Sequence, residues 1–292
     1  MLRFVNATLN GVSQGMIFAA VALALVLIFR ATRVINFAAA AMAMFTTFIA
    51  AKVISGTGHY WIGFVVALLI GLLLGGLIER LLIRPVNKGP EINAVIVTLG
   101  LFIFLEALAP ILFGNSFKSF PAAFSVKGIK FGSTTVQLSQ FDFFIIGSVL
   151  LVTVALFVLF QLTPVGLRMR ASAFAPEVAR LLGVRVGSML TLGWALAALG
   201  GSLAGMLVAP TSLLFPQFMD AALVFGFVAA IIGGLESPLG AVIGGLLMGL
   251  WQSYISSYVG SSVVTLAALV ILIAVLMVRP NGIFSTTSAR RV

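Results

Sequence analysis

The chain has 292 residues, 61% of them hydrophobic and only 8% charged, with a mean hydropathy of +1.23. Apolar runs of about twenty residues recur from end to end, which excludes a soluble globular domain and gives an all-α, polytopic helical membrane protein of about eight to nine spans. A formal net charge of +10 would suggest nucleic acid in a soluble protein, but here the basic residues gather at span ends, the pattern of membrane topology, so no nucleic-acid partner is expected.

In chain order, the first run covers about 11–29 and ends at Arg30 and Arg33. It is too long for a signal-peptide core and its charge follows the run, so it reads as a retained span with the N-terminus outside. The second, about 35–54, is rich in Ala, Met and Thr and fits a full span or a segment buried among other helices. The third, about 61–82, leads into GLIERLLIRPVNKG, where Arg80, Arg84 and Lys88 mark a cytoplasmic end. After a fourth run, about 92–113, comes a polar loop from Gly114 to Gln140, expected to be partly extended. The fifth, about 141–162, meets the only long polar interruption in the C-terminal two-thirds, Thr163 to Val186.

That interruption, TPVGLRMRASAFAPEVARLLGVRV, carries Arg168, Arg170, Arg180 and Arg185. Pro176 suits a first helical position, Glu177 sits where the helix dipole favours an anion, and Gly183 suits a C-terminal stop. Val178, Leu181 and Leu182 fall at i, i+3 and i+4, giving a two-turn helix with one apolar stripe and a basic other side. Such a helix either lies at the lipid interface or docks into a groove on a soluble partner, and periodicity does not choose between them.

Four further runs follow, at about 187–209, 218–233, 238–258 and 262–278, the last ending at Arg279-Pro280 before a short basic tail. In GFVAAIIGGLESPLGAVIGGLLMG, glycines at 226, 233, 234, 240, 244, 245 and 249 flank Pro238. Glycines so spaced let helices approach closely, and short Gly/Pro-interrupted spans also mark broken helices at transport sites. With the polar interruption inside, twelve of the 17 Lys and Arg residues are cytoplasmic, and Arg3, Lys52, Lys118, Lys127 and Lys130 are outside. The split predicts nine passages, N-terminus out and C-terminus in.

Residues able to carry chemistry are few. The single His59 adjoins Tyr60 and Trp61 and reads as part of an interfacial aromatic belt. Zinc-protease, nucleophile-elbow and phosphate-loop motifs are absent, and with no cysteine neither thiol catalysis nor a cysteine-ligated metal is available. Only Glu106 lies well inside an apolar run, where a carboxylate either faces a water-filled cavity or holds helices together. Asn36, Thr98, Gln252 and Ser253 are milder polar residues that either line a path or pair with a neighbouring helix.

The segments GVSQGMIFAAVALALVLIFRATRVINFA, IERLLIRPV, GLRMRASAFAPEVARLLGV, GGLESPLGAVIGGLLMGL and VRPNGIF occur in this order over about residues 10–284. Together they resemble the LivH-type membrane permeases of ATP-driven branched-chain amino acid importers. The resemblance implies one permease domain over 1–292, with a cytoplasmic coupling loop at 163–186 whose helix docks on an ATP-binding subunit. It carries Arg168, Arg170, Glu177, Ala179, Arg180 and Gly183 over as coupling residues. Asn36, Glu106 and Gln252 are the candidates for the substrate path. The implied partners are a LivM-like second permease or a second copy, two cytoplasmic ATP-binding subunits holding ATP and Mg, and an extracytoplasmic solute-binding protein. This chain itself is expected to bind no cofactor or metal, to catalyse nothing, and to reside in the bacterial inner membrane.

The sequence also departs from the family pattern. Typical members follow Asn-Phe-Ala with His-Gly-Glu, where this chain has Ala39, Ala40 and Ala41; many carry Lys near Phe225 and Glu near Gln252. Losing these groups together implies a substrate that is less polar, or less directly held, than a zwitterionic amino acid. A channel or secondary carrier working without an ATPase is the alternative of another class. The scarcity of buried titratable residues argues against a proton-driven carrier, and the coupling-like loop argues against both.

Overall fold

The computed structural model describes residues 2–86, 89–131, 134–279 and 282–284. Of the predicted basic positions, Lys88, Arg290 and Arg291 lie outside the described residues. The fold is all-α, with eight helices among the described residues long and apolar enough to cross a membrane and a ninth that is shorter. In order these are α1 (Leu2–Thr32), α2 (Ala39–Thr57), α3 (Tyr60–Ile78), α5 (Glu91–Phe113), α6 (Gln140–Leu162), α9 (Val186–Val208), α10 (Asp220–Gly233), α11 (Pro238–Tyr258) and α12 (Val264–Val278), the last reaching 18 residues with the 3-10 turn Ser261–Val263 that leads into it. Between α3 and α5, a π-helical turn at Glu79–Ile83 runs into the three residues of α4 (Arg84–Val86).

The predicted runs match these helices closely, and α2 extends over its full 19 residues. The weak run at 218–233 becomes α10, whose 14 residues reach about 21 Å, short of a hydrocarbon core of about 30 Å. The missing length is supplied by folded-in chain. Ala209–Thr211 forms a 3-10 turn, Leu213–Leu214 is a short strand, β4, and Leu214, Phe218 and Met219 are buried. Buried irregular backbone survives where protein surrounds it and satisfies its polar groups. Here Phe218 N–H reaches the Phe215 carbonyl at 3.0 Å and Asp220 N–H the Gln217 carbonyl at 3.1 Å.

α1 and α9 form the buried axis of the bundle, each with 83% of its apolar window inside. Small residues make that possible. Gly249 on α11 lies so close to the Gly15 backbone on α1 that a Cβ there would run into it. The glycines of the α10–α11 stretch therefore serve close packing, for Gly244 meets Ala229 and Gly245 meets Ala19 in the same way. Around this axis α3 packs on α9 and α2, while α10 packs on α1 and α11. The least buried helices are α12, at 11%, and α5, at 17%. They sit beyond α10 and α2 respectively, so that α5, α2, α10 and α12 form a row along one face.

Alternate passages bring alternate connections together. At one end Arg3 reaches the Ser257 carbonyl, and β1 (Lys118–Ser119) pairs antiparallel with β4, Lys118 opposite Leu214. The loop 114–139 is partly extended, as predicted, with β2 (Gly128–Phe131) and β3 (Thr134–Ser139) forming an antiparallel hairpin. At the other end Arg33 pairs with Glu236, and Arg84 meets the Gly187 carbonyl. This second end carries the polar interruption and is called the loop end below.

Candidate functional site

The polar interruption folds as two helices rather than one. α7 (Pro164–Phe174) begins where Thr163 Oγ accepts the Gly166 N–H at 3.1 Å and Pro164 takes the first helical position. α8 (Pro176–Leu181) is the predicted short helix, opened by Pro176. It closes on Gly183, whose φ of +81° is left-handed. The Val184 N–H reaches the Ala179 carbonyl at 2.9 Å and the Gly183 N–H the Arg180 carbonyl at 3.0 Å, the paired bonds of a Schellman stop.

These local signals fix which side of α8 faces out. Ala179 is 2% exposed and anchors the helix against the bundle, whereas Leu181 is 88% and Leu182 78% exposed. Val178 completes the stripe, and Leu167 and Phe174 of α7 extend it as further exposed apolar side chains. Arg168, Glu177, Arg180 and Gly183 lie exposed around the stripe. Arg170 does not join them: it is partly buried and its guanidinium turns inward, with Nη1 3.4 Å from Gln161 Oε1.

Behind the loop sits a clamp that the sequence reading missed. Glu79 is 1% exposed inside the π turn. The Arg84 backbone N–H donates to the Glu79 carbonyl, five residues back, so the turn stacks the two side chains directly. Arg84 Nε lies 3.2 Å from Glu79 Oε1 and Nη2 2.9 Å from Oε2. The same Nη2 reaches the Gly187 carbonyl at 2.9 Å and Thr191 Oγ at 2.6 Å, both on the first turn and a half of α9. Arg84, counted in the sequence only as a topology marker, thus ties the end of α3 to the helix that follows the coupling loop.

The three path candidates do not converge. Asn36 is buried in the α1–α2 turn at the loop end, where its Oδ1 accepts the Ala38 N–H at 3.0 Å and its Nδ2 lies 3.8 Å from Met42 Sδ. Gln252 lies on α11 with its Oε1 buried and without a hydrogen-bond partner. Glu106, on α5, has one oxygen in the same condition, and its carboxyl lies beside that of Asp220, the first residue of α10. In the sequence Asp220 shows only as an acid near the start of a short, weak span. Ala39, Ala40 and Ala41 are buried where α2 packs on α9, so their first effect is on helix packing. Among the described residues no three His, Asp or Glu side chains gather as a metal site.

A sequence family described as the permease component of the branched-chain amino acid transport system matches residues 7–278. The chain belongs to that family. The high-affinity branched-chain amino acid transport system permease protein LivH of Escherichia coli K12 is 28% identical over 305 residues, covering 100% of this chain and 98% of that protein. LivH of Salmonella typhimurium gives the same identity and coverage. The BraD permease protein of Pseudomonas aeruginosa is 26% identical, over 99% of this chain and 98% of BraD. Among solved structures, PsaBC from Streptococcus pneumoniae in complex with Fab aligns at a TM-score of 0.49 and 15% identity, covering 94% of this chain and 91% of that one. The permease is therefore a multi-pass membrane subunit of a transport system, of a kind that is not itself an enzyme.

Proposed function

We propose that this permease forms one half of the membrane path of an ATP-driven importer for branched-chain amino acids or a related, less polar small solute. The carrying observation is α8: a short helix anchored by Ala179, stopped by Gly183 and presenting Leu181 and Leu182 outward. An apolar knob on a rigid stem is what a groove in a partner can push. The membership in a permease family supports docking over a resting place at the lipid interface.

In this reading the whole chain is one permease domain, with loop 163–186 on the cytoplasmic side, the N-terminus outside and the C-terminus inside, as the distribution of basic residues favours. Two ATP-binding subunits, carrying ATP and Mg, receive Val178, Leu181 and Leu182, while Arg168, Glu177 and Arg180 provide polar contacts around them. Arg170 acts from the inner side of α7. The Arg84 clamp passes the movement of the loop to α3 and α9. A LivM-like second permease, or a second copy, covers the row α5–α2–α10–α12, in which α5 and α12 have little burial of their own. Glu106 and Asp220 then lie on the shared path, at the end where an extracytoplasmic binding protein delivers the solute. This chain binds no cofactor of its own.

Copurification from membranes with the neighbouring transport subunits coexpressed tests the reading. Wild type retains an ATP-binding subunit, and Glu177→Arg and Gly183→Trp lose it. If no such subunit copurifies with wild type, or if vesicles containing this chain alone take up solute without ATP, the channel or carrier reading replaces this one.

A further inference from the structure

At the loop end, the ends of α1, α6 and α7 and the start of α11 enclose an open cavity of about 460 Å³. Its charged wall holds Arg30, Arg33 and Arg170 against a single carboxylate, Glu236. Glu236 is taken up by Arg33. Arg30 forms no ion pair among the described residues, and its guanidinium lies 4.8 Å from the centre of the Phe160 ring. Arg170 has only the long contact to Gln161, and its Nε is buried without a partner. Two guanidinium charges therefore face one cavity uncompensated, an arrangement that costs repulsion and desolvation unless an anion enters. Arg33 also holds a φ of 61°, which no other non-glycine residue among those described adopts. Backbone strain of that kind persists where surrounding structure enforces it.

The rest of the wall indicates what the anion is attached to. From the arginines the cavity runs along α6 to Thr153, nine residues before the helix ends at Leu162, or about 14 Å into the bilayer at 1.5 Å per residue. Along that depth the lining is apolar, with Leu156, Phe157 and Leu239, the last two exposed at the mouth. A free anion has no use for an apolar extension open to the membrane face. A phospholipid matches both parts, with its phosphate at the helix ends and its acyl chain along the helices.

We propose that this cavity is a headgroup site for an anionic phospholipid, in which Arg30 and Arg170 hold the phosphate and Leu156, Phe157 and Leu239 seat the start of an acyl chain. Arg33 and Glu236 form its rim. The site is separate from the transported solute, so it stands or falls independently of the substrate assignment.

Native mass spectrometry of the complex purified with its partner subunits tests the site, with phosphatidylglycerol, phosphatidylcholine and inorganic phosphate as probes. Wild type is expected to retain phosphatidylglycerol at least about tenfold more tightly than phosphatidylcholine, given what each basic residue near a membrane surface contributes. The double variant Arg30→Gln/Arg170→Gln loses the preference, whereas Arg80→Gln/Arg185→Gln, the same charge change elsewhere, keeps it. Leu239→Glu, at an exposed position that leaves the fold intact, also loses it by placing an anion at the mouth. An unchanged preference in both the Arg30/Arg170 and the Leu239 variants overturns the proposal. So does equal retention of the two lipids by wild type. Displacement of phosphatidylglycerol by inorganic phosphate would make this a free-phosphate site and overturn the lipid assignment.

Discussion

Arg84 closes twice on Glu79, through its backbone N–H to the Glu79 carbonyl and through its guanidinium to both carboxylate oxygens, because a π-helical turn places the two residues one above the other. Glu79 is 1% exposed, so the bond that neutralises it also satisfies a group that water cannot reach. Removing one partner of such a pair is far more costly than removing both. Arg84→Ala is therefore expected to destabilise the permease by about 2–3 kcal/mol, below the range for fully buried pairs because the Arg84 side chain is 41% exposed. Glu79→Gln/Arg84→Gln should recover part of that loss. Melting in detergent checks both; a double variant less stable than Arg84→Ala would refute the clamp.

The docking stripe predicts the opposite pattern, intact stability with lost assembly. Leu181 and Leu182 are almost fully exposed, so Leu181→Asp and Leu182→Asp should change stability by no more than about 0.5 kcal/mol. Both should abolish retention of the ATP-binding subunit in a pull-down. Ala179→Leu is the contrasting change: it forces volume into a closed contact and should cost about 1–3 kcal/mol. Retention of the ATPase by both Asp variants would remove α8 as the docking element.

The axis helices make a packing prediction. A Cβ at Gly249 would meet the Gly15 and Gly11 backbone of α1, which has no side chain to give way. Gly249→Ala should therefore separate α1 from α11 and abolish stable expression. At Gly76 the nearest atom to an added Cβ is Thr191 Cγ2 at 3.5 Å, an ordinary contact. Gly76→Ala should express normally in the same membrane blot. Equal expression of the two would show that the α1–α11 seam relaxes more readily than its geometry implies.

What was legible in the sequence was local. Pro176 and Gly183 announce α8 because helix start and stop depend on the residues at those positions alone, and long apolar runs announce spans because the bilayer fixes their length. Thr163-Pro164 carried an equally local start signal for α7, but Arg168, Arg170 and Ser172 after it obscured the periodicity. The Glu79–Arg84 pair was illegible for a different reason. Five residues apart is not a facing pair on an α-helix, so only the π turn brings the two together. Pairings across long stretches of chain, Arg33 with Glu236 or Glu106 beside Asp220, are set by tertiary packing and leave no spacing to read.

Glu106 and Asp220 give the last prediction. The two carboxyls lie side by side on α5 and α10, at the end of the bundle opposite the coupling loop, in the row whose outer helices α5 and α12 have little burial of their own. If the path runs there, they act as one acidic unit, and groups acting as a unit are not additive. Glu106→Gln and Asp220→Asn should each raise the KM for uptake in proteoliposomes of the complete importer, by about tenfold for the loss of one charge-assisted contact of about 1.5 kcal/mol. The double variant should be little worse than either single one, and melting temperatures should stay near wild type. Additive single effects would assign the two carboxyls separate roles. A fall in melting temperature with unchanged KM would make them a structural contact between α5 and α10.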